Sequence, residues 1–288
     1  MEIKGLEKIY IIHYVKLVER RAYLERRLRE LGLEDYAEWV ISTKDGSFPK
    51  KELAMQDSSE QAMAERKKYL GEKIPPIGRI DMIMMLQHIQ VLRKIASNKK
   101  ENVSMVFEDD VLLDDDFPDK LRESVDKLRN IEWDICYTDK GSLLVEPNVR
   151  KEKNSLLTLY ESRDKRANTT GSFLIKSAGA KLLLKLMKKI TLGPDMELTY
   201  VQKKNNLNVY WTVPFLTHQG SIEEVYQSNV RRGSIAGRVI KITKKIEKFS
   251  PALAMLISRS ANFTMKLANN SRFFSVLKNK VKRLMKLQ

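Results

Sequence analysis

Cysteine is almost absent from this chain: its 288 residues include one, Cys136. A single thiol excludes an internal disulfide framework and fits a reducing compartment. Long apolar runs are missing too, and nothing approaches the roughly 20 uninterrupted apolar residues that a membrane span needs. The opening stretch "MEIKGLEKIYIIHYVKL" has no long apolar h-region, so it reads as carrying no secretory signal. There is no internal repeat and no low-complexity linker. Nor is there a Gly-rich basic loop near the first strand, where a nucleotidyltransferase usually carries one.

What the chain does have is ordinary material for a soluble globular fold, with 42% hydrophobic and 31% charged residues. That is enough for one large domain or two small ones. The net charge of +16 is unevenly spread. From Ala236 to Gln288 there are 13 Lys or Arg and one acid, Glu247, leaving 40 basic and 36 acidic groups for the rest. The expected division is therefore a near-neutral domain over 1–235 and a basic tail over 236–288. In "SRFFSVLKNKVKRLMKL" the residues Phe273, Phe274, Leu277, Val281, Leu284 and Met285 share one helical face, with Lys and Arg around the rest. That pattern fits a helix lying on an anionic membrane surface; the plain alternative is a C-terminal helix docked on the protein's own core. Apolar residues as frequent as basic ones argue against a nucleic-acid tail.

Strand and helix patterns alternate along the body. "KIYIIHYV" (8–15) is β-branched and aromatic and reads as a strand, followed by a helix with Leu24, Leu28 and Leu31 at helical spacing and Gly32 as its stop. "AEWVIST" (37–43), "NVSMVF" (102–107) and "WDICYTD" (133–139) read as further strands. "IPPIGRIDMIMMLQHIQVLRKIA" (74–96) reads as an apolar helix after Gly78. "DFPDKLRESVDKLRN" is a helix with Phe117, Leu121, Val125 and Leu128 on one face. "GSFLIKSAGAKLLLKLMKKI" (171–190) reads as strand, turn and helix, and "LNVYWTVPFLTHQG" (207–220) as a late strand and loop. The alternation predicts an α/β domain with a largely parallel sheet.

The sharpest local feature is "SMVFEDDVLLDDDF" (104–117), an apolar run set against acids. In open α/β sheets ligands bind beyond the carboxyl ends of strands, which is where Glu108, Asp109 and Asp110 fall. In an extended chain Glu108 and Asp110 share one side and Asp109 takes the other. Two carboxylates on one side suit Mn²⁺ or Mg²⁺, hard cations that also bridge phosphate oxygens; the plain alternative is a solvated turn. Asp114, Asp115 and Asp116 precede a helix start at Phe117-Pro118 and read as capping acids.

These segments, in this order, resemble glycosyltransferase family 25, which includes lipooligosaccharide galactosyltransferases. "IYIIHYVKLVERRAYLERRLRELGL" resembles the family's opening strand and Arg-containing helix, and "WVISTKDG" its second strand and Asp-Gly turn. "LQHIQVLRKI" resembles its Leu-Ser-His-Leu helix and "SMVFEDDVLLDDDF" its acidic block. "WDICYTD", "TTGSFLIKSAGAKLLL" and "GPDMELTY…VYWTVPFLTHQGSIEEV" resemble the blocks that follow, over about residues 8–225. The resemblance implies a GT-A-type nucleotide-diphosphosugar fold, a mostly parallel sheet flanked by helices. It also implies an inverting, metal-dependent transfer of a hexose, most simply galactose from a UDP-sugar, to a glycan or glycolipid acceptor such as lipooligosaccharide.

The same resemblance nominates residues. Glu108 and Asp110 hold Mn²⁺ or Mg²⁺ against the donor pyrophosphate, where the cation neutralises charge on the departing nucleoside diphosphate. Asp195 in "GPDMEL" is the carboxylate base for the acceptor hydroxyl, with Glu197 in reserve; N-capping is the plain alternative for Asp195. His218 could be a third metal ligand, an acceptor contact or a loop residue, and its place after "VYWTVPFLT" favours the metal ligand. Donor contacts fall on Ile12, His13, Tyr14, Thr43, Asp45 and Asp109, on Arg20 or Arg21 for a phosphate, and on His88, which otherwise reads as a core histidine. The chain departs from the family pattern at His13-Tyr14, where Asn-Leu is usual, at Ile83-Met84, where Gly-Cys is common, and at Gln87, where serine is common.

Two rivals remain open on sequence grounds: a non-catalytic adaptor of the same fold, and a nucleotidyltransferase. With a lipid-linked acceptor the basic tail would hold the enzyme, otherwise cytoplasmic, on the anionic inner face of the membrane. Removing residues 238–288 is expected to abolish co-sedimentation with anionic liposomes; unchanged sedimentation would support the docked-helix alternative.

Overall fold

The computed structural model describes residues 2–42, 50–71, 77–140, 155–167, 169–221 and 225–226. Thr43, Asp45, the boundary expected near residue 235 and the basic tail lie outside these residues. In chain order the elements are β1 (Leu6–Tyr14), α1 (Val18–Glu30), β2 (Ala37–Ser42), α2 (Lys50–Leu53), α3 (Glu60–Leu70), α4 (Arg79–Ala96), β3 (Val103–Glu108) and β4 (Val111–Leu113). They continue with α5 (Phe117–Leu128), β5 (Ile135–Tyr137), β6 (Asp139–Lys140), β7 (Thr158–Glu161), β8 (Ser172–Lys176), α6 (Ser177–Leu186), α7 (Pro194–Lys204), β9 (Val209–Val213) and β10 (Thr217–Gln219).

Local chemistry explains several boundaries. Gly32 takes φ 65°, a left-handed conformation open to glycine. Its N–H then bonds the Arg29 carbonyl while Leu33 N–H reaches back to Leu28, closing the end of α1. On α5 the residues Phe117, Leu121, Val125 and Leu128 are all fully buried, the stripe that their spacing predicts. β1 and β3 are buried along nearly their whole length, as strands covered on both faces should be.

The central sheet has the order β2-β1-β3-β8-β5-β9-β7. β1 pairs in parallel with β2 and β3, and β5 with β9. β8 runs antiparallel to both β3 and β5, and β7 antiparallel to β9. Five of the seven strands therefore point one way, with β8 inserted against the grain between two parallel blocks. The sheet is thus mostly parallel, as expected; the antiparallel course of β8 and β7 is not legible in the sequence, because a strand's apolar composition carries no sign of its direction. β8 also passes straight into α6 without the expected turn.

A second sheet, β4-β10-β6, forms beside the first. Each of its strands follows a main-sheet strand by a few residues: β4 after β3, β6 after β5 and β10 after β9. Three carboxyl-end exits are thereby drawn together. The Gly220 N–H donates to the Asp110 carbonyl at 2.6 Å, and the Leu216 and Thr217 N–H groups donate to the Thr138 carbonyl.

Among the described residues no helix is long and apolar enough to cross a membrane. Cys136 lies in the central strand β5, fully buried, and burial pushes its thiol pKa up. Both effects suppress the thiolate, so native protein is expected to resist Ellman's reagent, while denatured protein releases one equivalent of thiol.

Candidate active site

β3 ends at Glu108, and Asp109 and Asp110 form the turn into β4. The three acids have different surroundings. Asp109 is turned toward the end of β1 and the start of α1. Its Oδ2 lies 2.8 Å from His13 Nδ1 and accepts the Tyr14 backbone N–H at 3.1 Å. Its Oδ1 accepts from an Arg20 guanidinium nitrogen at 2.8 Å. A carboxylate only accepts, so His13 donates through Nδ1. Asp109 therefore holds Arg20, and the central carbon of that guanidinium stands 5.2 Å from the centre of the Tyr226 ring. Arg21 instead lies over Trp39 and pairs with Glu25, so Arg20 is the arginine that joins this cluster.

Glu108 is half-buried, with its backbone N–H bonded to the Gly171 carbonyl at 2.8 Å. Its Oε1 accepts from Thr170 Oγ1 at 2.7 Å and lies 3.3 Å from His88 Nε2. Asp110 is 5% exposed, and its Oδ1 has no hydrogen-bond partner among the described residues. Burial first, then the charge of Glu108, pushes the Asp110 pKa up to about 6.

The structure adds a carboxylate that the sequence reading did not name. Asp139, at the start of β6, is fully buried, and burial followed by the charge of Glu108 raises its pKa well above the usual range. Gly171 sits against it: a Cβ there would lie 2.6 Å from Asp139 Oδ2 and closer still to Gln219 Nε2. The absence of a side chain at Gly171 is what lets these groups approach the backbone. The signal for Asp139 was available, since it ends the strand segment "WDICYTD" just as Glu108 ends "SMVFE". Thr170 and Gln219 had no comparable signal.

Other nominated residues fall elsewhere. Ile12 is buried within β1, while Tyr14 is half-buried at its end. His88 is 2% exposed on α4, stacked on Phe173. His218 alternates to the opposite face of β10 from the buried Thr217 and Gln219, with Nε2 3.6 Å from Asp114 Oδ2. Glu108, Asp110 and His218 are not assembled as one ligand set; among the described residues no three His, Cys, Asp or Glu side chains form a group that could hold a metal. The acids before α5 pair with cations rather than cap. Asp115 meets Arg27 and Asp116 meets Lys120, and the N-cap residue Asp116 makes no side-chain capping bond.

At α7 the N-cap is Gly193, not Asp195, which lies exposed in the first turn and accepts the Met196 N–H at 2.9 Å. Glu197 is fully buried, and both its oxygens are engaged. Arg66 donates to Oε1 at 2.6 Å and to Oε2 at 3.4 Å, and Oε2 also accepts the Thr191 and Leu192 N–H groups. In this structure Glu197 ties α3 to the loop entering α7, whereas Asp195 stays at the surface. Asp81, half-buried in the first turn of α4, faces Gly193 close to Asp195, and burial raises its pKa.

The raised Asp110 pKa has a signed consequence for stability. A carboxyl whose folded pKa exceeds its unfolded value binds more protons when native, so stability falls as pH rises between the two values. A rise of about 2 pH units at about 1.4 kcal/mol each corresponds to roughly 3 kcal/mol. In the presence of a chelator, Asp110→Asn is expected to melt above wild type at pH 7. The gap should close as pH falls from about 6 toward 4, and a gap independent of pH would rule this origin out.

The sequence profile of glycosyltransferase family 25 (LPS biosynthesis protein) matches residues 6–198, more than half of the chain. The matched stretch runs from β1 to the first turn and a half of α7. It takes in Glu108, Asp109, Asp110, Asp139 and Asp195 and stops short of His218. No curated protein matches the chain. The mixed sheet with its acids gathered at the carboxyl ends of β3 and β5 is consistent with the GT-A-like architecture that such a transferase needs, and the chain belongs to glycosyltransferase family 25.

Proposed function

We propose that the chain is an inverting, metal-dependent hexosyltransferase that moves galactose from a UDP-sugar to a glycan or glycolipid acceptor of the lipooligosaccharide type. The observation that carries this reading is the strand-end turn in which Glu108 and Asp110 lie together, Asp110 nearly buried with one oxygen unpartnered among the described residues. A carboxyl whose pKa is raised by burial and by a neighbouring carboxylate, as that of Asp110 is, makes a site that gains from a cation. The donor set fits Mn²⁺ or Mg²⁺, which are commonly bound by one or two carboxylates plus substrate phosphates rather than by an all-protein cage. Glu108 and Asp110 would hold the ion. When bound, it supplies charge neutralisation on the departing diphosphate.

The chain's own residues supply the rest. Asp109 holds Arg20 beside this turn, and in this reading its guanidinium contributes positive charge on the side of the donor phosphates. Tyr14, at the end of β1, flanks the donor side. Asp195 accepts the proton of the acceptor hydroxyl as that oxygen bonds to the anomeric carbon from the face opposite the diphosphate. The bond to the diphosphate oxygen breaks with its electron pair, which inverts the configuration. The basic tail at 236–288 would hold the enzyme on the anionic inner face of the membrane, where a lipid-linked acceptor lies.

The decisive experiment screens UDP-, GDP- and CMP-sugars for hydrolysis and transfer with Mn²⁺ present. A UDP-hexose is expected to turn over in a metal-dependent way. Asp195→Asn should lower kcat by about 10²–10⁴-fold with little change in donor KM. A folded protein that neither binds nor hydrolyses any nucleotide sugar would sink the enzyme reading in favour of a non-catalytic adaptor.

A further inference from the structure

Two side chains from different elements converge on a single oxygen of Glu108. Thr170 reaches Oε1 from the segment before β8, and His88 reaches the same Oε1 from the middle of α4. Since a carboxylate only accepts, both act as donors. Neither bond uses the other oxygen. Both donors are buried, His88 at 2% and Thr170 at 5% exposure, and each spans from a different element to the same carboxylate oxygen. The His88 ring is itself fixed, stacked on Phe173 with ring centres 6.0 Å apart. The Glu108 backbone is fixed as well, by its N–H to the Gly171 carbonyl.

From this geometry we infer that His88 and Thr170 are positioning residues: they lock Oε1 of Glu108 so that its second oxygen is presented to a divalent cation. The inference rests on the cation reading above and gives His88 a different part from the donor contact that the resemblance implies. The physical reason is pre-organisation. A free glutamate loses considerable rotamer freedom on binding an ion, whereas one already held by two donors meets less of that cost at the moment of binding. Outer-shell partners of this kind typically govern metal affinity by 10–100-fold.

The alternative is that His88 and Thr170 merely fill the core and find the nearest acceptor. Affinity for Mn²⁺ alone separates the two, read from the paramagnetic resonance signal of free Mn²⁺, with melting temperature measured in chelator as a check on folding. Thr170→Val and His88→Phe keep volume and, for the ring, the stack on Phe173; each is expected to weaken Mn²⁺ binding by about 10–100-fold. Thr170→Ser and His88→Gln, which keep a donor, should restore most of it. If wild type binds Mn²⁺ and both apolar variants bind it equally well, the positioning role is overturned even if their melting temperatures drop. If wild type binds no Mn²⁺, the cation reading fails and this inference falls with it. Should His88→Phe fail to fold, the Thr170 pair decides the question.

Discussion

A buried backbone polar group must find a partner, and at the end of a strand the ladder no longer provides one. In this protein that constraint is met by three chain exits bonding to one another. β3, β5 and β9 each leave the central sheet at the same edge and re-pair in the small sheet β4-β10-β6. The Gly220 N–H to the Asp110 carbonyl is the tightest of these ties. Because the exits are pinned, Asp110 and Asp139 are held under cover rather than in solvent, and their burial and mutual charge follow. The site is a by-product of closing the edge of a sheet.

Burial then sorts the acids by partner. Asp109 is met by His13, the Tyr14 N–H and Arg20, a set of donors that satisfies both its oxygens. Glu108 is met at one oxygen only by His88 and Thr170. For Asp110 and Asp139 burial dominates, with the charge of Glu108 the next cause, and both are pushed toward the protonated form. The acids gathered at these strand ends thus divide into an arginine holder, Asp109, and two residues, Asp110 and Asp139, whose ionised state costs stability. That unequal treatment is what separates this turn from a merely solvated one.

Much of this was legible in sequence because it is local. The buried stripe of α5, the Gly32 stop, the burial of β1 and β3 and the acids at the end of β3 follow from spacing and composition alone. What stayed hidden depends on partners distant in sequence. Glu197 reads as a spare catalytic acid until Arg66, 131 residues away, is seen to occupy it. The side on which His218 falls depends on the pairing of β10 with β4, which places it beside Asp114. Asp139 joins Glu108 and Asp110 because β3 and β5 point the same way on either side of β8 and their exits meet at β10, an arrangement that no apolar run announces.

The departures from the family pattern acquire a physical meaning in the same way. His13 and Gln87 both differ from the usual residues, and the structure places them in contact: the Gln87 Nε2 lies 3.5 Å from the His13 carbonyl oxygen. Both are buried, His13 at 1% and Gln87 at 4% exposure. His13 is spent on Asp109, and through Asp109 it bears on where Arg20 stands. These substitutions therefore form a buried layer behind Asp109 and, through it, Arg20. Tyr14 is the exception: its side chain is half-exposed at the strand end, where the proposed function would set a larger aromatic ring, in place of the usual leucine, against the donor. Under that proposal, discrimination between donors is to be sought at Tyr14, and the strength of phosphate binding in the buried layer behind Arg20.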